Sequence, residues 1–291
     1  MEDWKILVLK HDKGSEYIRD FFKKIWLDGI ITKNIDNTWW LEHKEYNAEN
    51  IKKTVGDLEG RILTLYGNGC YHHYTYGLCY AIAHEKSDNY MYVHIDHHTD
   101  SKNHDNGIIK CGSFVENITE EPEANDVLLI GASQGVNPQE RTVIRQKDLV
   151  SKRSREILRK ELKKKLQKDI YVSIDLDILK HEEVSTDYSQ GILELKHLLD
   201  VLDVLNEEKN IISADILGYN GHTCPPGYPV SLMTYAILAA KITGKETKGL
   251  EELREQFKNK RFDKAYFDEE ELKLMEEELK NFKKVTKELR I

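Results

Sequence analysis

Short apolar runs alternate with longer amphipathic stretches along most of this chain, and that order constrains its fold more than any other feature. KILVL (5–9), RILTLY (61–66), YMYVHI (90–95), VLLIG (127–131), IYVSI (170–174) and NIISAD (210–215) each have the length and composition of a buried strand. Between and after them, YIRDFFKKIW (17–26), YGLCYAIAHE (76–85), SREILRKELKKKL (154–166), ILELKHLLDVLDVL (192–205) and SLMTYAILAAKI (231–242) carry helical spacing. Strands that are apolar on both faces and separated by helices build a mainly parallel sheet between two helical layers. The expected fold class is therefore α/β, a three-layer α/β/α arrangement.

A length of 291 residues with 40% apolar content allows one large domain with a real core. We assign it to residues 1–250. The remainder, 251–291, combines helix formers with dense alternating charge and reads as a C-terminal helical extension that packs back or mediates assembly. The 51 acidic residues outnumber the 43 lysines and arginines, which speaks against general nucleic-acid binding. The basic stretch 154–166 reads as a solvated helix covering the sheet, since no aromatic or glycine-rich signature accompanies it. Four cysteines without paired metal-finger spacing, no leader-like start and no run of about 18–20 apolar residues lead to the expectation of reduced thiols, a cytoplasmic location and no membrane span. Trp39 and Trp40 read as packing residues or a partner surface.

Chemistry gathers where the apolar runs stop. HIDHHTD (94–100) follows YMYV directly, so Asp96, His98 and Asp100 can converge as the chain leaves the strand. Asp175 and Asp177 repeat the placement after YVSI, and GNGCYHHYTYG puts His72 or His73 at a third strand exit. Either cluster alone also reads as helix caps, turn residues or surface charge. Together, four carboxylates in one crevice repel unless they are protonated or hold cations, and mixed Asp/His ligands suit Mn, Zn, Fe and Co. Such loops meet at the carboxyl edge of a parallel sheet. His72, Asp96, His98, Asp100, Asp175 and Asp177 suffice to hold two ions about 3.5–4 Å apart.

These motifs resemble those of the arginase, agmatinase and formiminoglutamase family. Its Asp-x-His-x-Asp motif resembles Asp96-His97-His98-Thr99-Asp100, and its Asp-x-Asp motif resembles Asp175-Leu176-Asp177. Gly69 through His73 loosely matches the family's Gly-Gly-Asp-His-Ser segment, with Gly77 in place if His72 is the ligand. SADILGYN (213–220) resembles the strand bearing an aspartate behind the ligands, here Asp215, and CPPGYPVSLMTYAILAAKI resembles the loop and helix that follow. The likeness covers roughly residues 5–242. It implies an arginase-like fold, two divalent ions (Mn2+ first, with Zn2+, Fe2+ or Co2+ as alternatives), a small-molecule or peptide-side-chain substrate and a homo-oligomer.

The departures lie where specificity is decided. Guanidine-hydrolysing relatives carry a glutamate three positions after the Asp215 equivalent, where this chain has Gly218, and Cys111 stands where the family has a histidine before glycine. The resemblance thus implies hydrolysis of a C–N bond in a guanidino, amidino or formimino compound, but not ordinary arginase activity. Asp100 can orient the attacking water. His73 and His222 are the remaining proton-transfer candidates, Cys111 reads as a neutral wall, a redox-sensitive residue or an altered catalytic group, and Tyr219 and Asn220 as substrate contacts or parts of a glycine-rich turn. Two alternatives stand beside this: an N-acyl amine deacetylase, because HHYTYGLCY resembles a deacetylase segment, and a non-catalytic metal-binding regulatory or scaffold protein.

Overall fold

A computed structural model describes residues 3–26, 29–35, 44–56, 58–102, 108–135, 141–219 and 228–245. The expected extension, Trp39, Trp40, Asn220 and His222 lie outside the described residues. Those described form an eight-stranded sheet: β1 (Trp4–Lys10), β2 (Ile31–Asn34), β3 (Arg61–Leu65), β4 (Tyr90–Ile95), β5 (Ala124–Gly131), β6 (Thr142–Arg145), β7 (Asp169–Asp175) and β8 (Asn210–Leu217). Their order is β2-β1-β3-β8-β7-β4-β5-β6, and every adjacent pair is parallel. The helices are α1 (Lys13–Ile25), α2 (Lys44–Val55), α3 (Tyr74–Leu78), α4 (Phe114–Thr119), α5 (Gln146–Leu149), α6 (Ser154–Lys163), α7 (Leu195–Glu208) and α8 (Tyr228–Thr243).

Both sheet faces are buried, which is why the strands read as apolar runs rather than as alternating patterns. One core packs Val8, Leu63, Val93, Val172 and Ile216 against α1, α7 and α8; the other packs Leu7, Ile62, Tyr92 and Tyr171 against α2, α3 and α4. The segment 76–85 is only partly α-helical, because α3 widens into a π-turn over Cys79–Ala83. The basic helix α6 finds its partners within the fold: Arg155 and Arg159 pair with Asp200, Asp203, Glu207 and Glu208 of α7. Its buried stripe is Leu158 and Leu162. No helix among the described residues is long and apolar enough to cross a membrane.

The start of α1 is tied to the loop leaving β3. Asp12 caps the helix by accepting from the Ser15 amide at 2.7 Å, and it also accepts from the Asn68 amide at 3.0 Å. Gly67 permits that approach, since a Cβ there would lie 2.3 Å from Asp12 Oδ1. Burial raises the Asp12 pKa, but His11 and the Ser15 donors outweigh it and hold the carboxyl well below the usual range. A depressed pKa stabilises fully above about pH 5 and is lost as pH falls through about 4 and below. Asp12→Ala is expected to cost about 1–2 kcal/mol at neutral pH. Urea titrations across the acid range should show a flatter stability loss in that variant than in the parent chain.

Candidate metal centre

Strand order places the exits of β3, β8, β7 and β4 side by side. Ile95 pairs with Ile174, so the next residues, Asp96 and Asp175, leave the sheet next to each other. Beyond each, a short turn brings back the second acid or imidazole: the His98 amide donates to Asp96 Oδ1 at 2.6 Å, and the Asp177 amide donates to Asp175 Oδ1 at 2.9 Å. His72 follows a single turn at Gly69–Tyr71, capped by the Asn68 side chain, which accepts from the Cys70 amide at 2.7 Å. Asp100 takes φ 44°, a left-handed conformation that aspartate tolerates better than most residues. Such strain clusters where a side chain must be aimed, and here it accompanies a carboxylate turned into the site.

His72 Nδ1 lies 3.2 Å from Asp96 Oδ2, 3.1 Å from Asp100 Oδ2 and 3.4 Å from Asp175 Oδ2. On the other side, His98 Nδ1 stands 2.8 Å from Asp177 Oδ2 and 3.5 Å from Asp96 Oδ1. Two groups of side chains can each hold a cation, His72 with His94 and Asp96, and His98 with Asp96 and Asp177. Asp96 belongs to both. Asp96, His98 and Asp177 line a cavity of about 560 Å³, whose walls also include Asp100, Asp175, Cys111 and Tyr188, while His72 and His94 lie behind Asp96.

Electrostatics and donor chemistry fit divalent cations. Burial raises the Asp177 and Asp100 pKa values, and neighbouring carboxylates push the same way. Burial also raises Asp96, but His94, His72 and His98 around it prevail and hold it well below the usual range. Burial lowers His98, yet its contacts with Asp177 and Asp96 drive it up to about 11. His72 Nδ1 and His94 Nε2 are buried without a hydrogen bond, although carboxylate oxygens lie close by. Such atoms suit ligands better than ordinary donors, and the imidazole and carboxylate set matches Mn, Zn, Fe or Co.

A polar row supports His72 from below. His94, Ser173, Asp215 and Thr64 occupy one rung across β4, β7, β8 and β3. Ser173 donates to Asp215 Oδ1 at 2.7 Å and Tyr171 donates to Asp215 Oδ2 at 2.6 Å. With its proton committed to Asp215, Ser173 Oγ accepts from His72 Nε2 at 2.9 Å, so Nδ1 is the atom that faces the carboxylates; burial lowers the His72 pKa, but they outweigh it and raise the value well above the usual one, and a cation bound there would replace the Nδ1 proton. Burial raises the Asp215 pKa, while His72 and its two hydroxyl donors offset part of that rise. Ser173→Ala is expected to weaken divalent-cation binding about 10–100-fold without unfolding the chain, checked by calorimetric Mn2+ titration beside a thermal melt.

All six expected ligands converge, and Cys111 lines the cavity with its Sγ 3.6 Å from the Tyr188 hydroxyl. Burial pushes the Cys111 thiol up, against a nucleophilic role. His73 is buried beside Tyr71 and Tyr74. Successive residues on a helical turn point about 100° apart, so the turn that aims His72 at the carboxylates sends His73 elsewhere. Tyr219 is buried in the core, its amide donating to the Tyr235 hydroxyl at 3.4 Å. Asp215 acts through Ser173 rather than on the cavity. His97 is a support, its amide donating to Asp177 Oδ1 at 3.2 Å and its ring meeting Gln146 at 2.7 Å. His94 was not among the expected ligands, although strand alternation places it on the Asp96 face. Tyr188, between Cys70 and Cys111, comes from a loop with no sequence signature.

A helix-covered parallel sheet with acids and imidazoles gathered at the carboxyl ends of its central strands defines a class of α/β proteins with a two-cation site. Within that class, the chain belongs to the arginase family, whose pattern matches residues 28–245. No curated protein matches it in sequence. Among solved structures, it is similar to formimidoylglutamase from Bacillus subtilis subsp. subtilis str. 168, with TM-score 0.64, 15% identity and coverage of 84% of this chain and 87% of that one. Proclavaminate amidino hydrolase from Streptomyces clavuligerus gives TM-score 0.62, 14% identity and coverage of 84% and 91%. An agmatine ureohydrolase of Thermoplasma volcanium gives 0.61, 15%, and 90% and 92%. At such identities the likeness establishes the fold alone.

Proposed function

We propose that this chain is a metal-dependent hydrolase of a C–N bond in a guanidino, amidino or formimino compound, distinct from ordinary arginase. The observation that carries the reading is the meeting of four aspartates with His72 and His98 beside one cavity. His72, Asp100 and Asp175 would hold one cation, with His94 in reach beside Asp96, and His98 and Asp177 the other, with Asp96 between them; manganese is our first choice. Bound there, the ions would supply Lewis acidity and lower the pKa of a water. Asp100, aimed inward by its backbone, orients that water and takes its proton at a carboxylate oxygen. Cys111 and Tyr188 wall the planar substrate group, and Ser173 with Asp215 keeps His72 in the required tautomer. Homo-oligomeric assembly and a cytoplasmic location accompany this reading.

The test is quantitative metal analysis of protein purified without chelator, followed by turnover of guanidino, formimino, amidino and N-acyl compounds with products read by mass spectrometry. About two ions per chain and one stoichiometric nitrogen-containing product support the proposal. Acetate release would favour a deacetylase. Turnover that survives complete metal removal would sink the mechanism.

A further inference from the structure

The two cation groups differ in their count of imidazoles. The first contains two, His72 and His94, with Asp96; the second contains one, His98, with Asp96 and Asp177. His94 lies in β4 two residues before Asp96, so strand alternation puts both side chains on one face. It is wholly buried, and its Nε2, 3.2 Å from Asp96 Oδ2, makes no hydrogen bond. The same carboxylate oxygen lies 3.2 Å from His72 Nδ1, which is also buried without a hydrogen bond. Donors bonded to one ion at about 2.0–2.2 Å stand about 3–3.5 Å apart, the spacing that both nitrogens keep from Asp96 Oδ2. The His94 ring is held from behind and from the side. The buried Tyr92 hydroxyl meets its Nδ1 at 3.1 Å, and with the Nδ1 proton given to that oxygen, Nε2 carries the lone pair. The His72 ring lies at 24° to it with centroids 5.1 Å apart, and Phe114 packs edge-on at 5.8 Å. An orphaned polar atom in such surroundings costs about 1–3 kcal/mol, a cost that a bonded cation removes.

We propose that His94 Nε2 is a direct ligand of the cation held by His72 and Asp96, and that this second imidazole makes that position select zinc over manganese. The inference rests on the two-cation part of the hydrolase reading and deepens it by giving the two positions different metals. Imidazole donors suit zinc and carboxylate oxygens suit manganese, and a mixed nitrogen and oxygen set binds zinc the more tightly of the two. A second nitrogen therefore widens the gap at the His94 position. Manganese is left to the position beside His98, whose group has a single imidazole. Loading is ordered as a result: limiting zinc enters beside His94, and manganese fills the other position.

The test uses the full-length protein, stripped with chelator and reloaded with one equivalent of Zn2+ in excess Mn2+. X-ray absorption at the zinc edge is expected to count two imidazoles, and elemental analysis about one zinc and one manganese per chain. His94→Asn keeps a polar atom for the Tyr92 hydroxyl while removing the Nε2 end of the ring. It should leave one imidazole on the zinc and lower the ratio of zinc to manganese affinity about 10–100-fold. A packing role for His94 would weaken both metals together, so the ratio is the reading that it leaves unmoved. One imidazole per zinc in the parent chain, or a His94→Asn ratio equal to the parent's, overturns the proposal; the parent's count decides even where the variant is unstable. Turnover separates the two readings. Two bound ions, one imidazole per zinc and hydrolysis of a guanidino, amidino or formimino compound would remove the His94 assignment and leave the hydrolase, whereas two imidazoles on the zinc without hydrolysis of any compound would do the reverse.

Discussion

Gly218→Ala is expected to lower divalent-cation affinity at least tenfold, and Gly218→Glu to lower it further without conferring arginine hydrolysis. Gly218 leaves β8 with φ +110°, a conformation that costs residues with a side chain of order 1–3 kcal/mol. Space is the harder constraint. A Cβ would lie 2.4 Å from Asp175 Oδ1 and 2.9 Å from the Leu176 amide nitrogen, both within the turn that presents Asp175 and Asp177. The Gly218 amide donates to the Gly67 carbonyl at 2.8 Å, which ties this loop to the β3 exit and leaves it little room to retreat. Any side chain must therefore push Asp175 away from His72. The missing glutamate is thus a change of loop geometry as well as of one side chain, and restoring the residue does not restore its setting. Manganese titration with a parallel melt distinguishes this from unfolding. A glutamate variant that binds two ions at the parent's affinity and hydrolyses arginine or agmatine would refute it.

The layered fold was legible because the six long apolar runs are strands buried on both faces, for which continuous hydrophobicity is the expected pattern. The edge strand β2 and the short strand β6 carry no such signal, since four residues with few fully buried positions leave little pattern to read. The spacing suits a helix from Ile192, but α7 begins at Leu195: Leu193 pairs with Leu179 and Glu194 caps the helix, so tertiary contacts claim residues whose spacing alone is helical. The ligand motifs were legible because strand ends concentrate chemistry and the carboxylates are close in sequence. What sequence could not supply was the rung joining His94, Ser173 and Asp215, which depends on register between three strands distant in the chain. Nor could it show that His73 turns toward tyrosines, because adjacent histidines are equivalent in a motif until the turn fixes which one faces inward.

Asp177→Asn should separate the demands of the fold from those of the centre. Without cations, burial, Asp175 and Asp96 push Asp177 toward its protonated form, against the opposing pull of the His98 imidazole. Asparagine is the neutral isostere of that form and keeps an oxygen for the His97 amide, which donates to Asp177 Oδ1. The chelated variant should therefore melt at the parent's temperature or above it. With cations the order reverses. An ion held at 100 times its dissociation constant contributes about 2.7 kcal/mol, and at about 2–4 °C per kcal/mol the lost ion should remove about 5–10 °C of the metal-induced rise. Metal content should fall from about two ions to one per chain, and turnover should fall with it, because a centre short of the Asp177 carboxylate would supply less Lewis acidity. Asp96→Asn should reach further and impair both positions, as Asp96 faces both groups. Thermal melts with and without chelator, paired with elemental analysis, decide the matter. If Asp177→Asn lowers the chelated and loaded melting temperatures equally, the carboxylate serves the fold and not a cation; if only the loaded value drops, the cluster of acids is maintained against its own repulsion for the ions it holds.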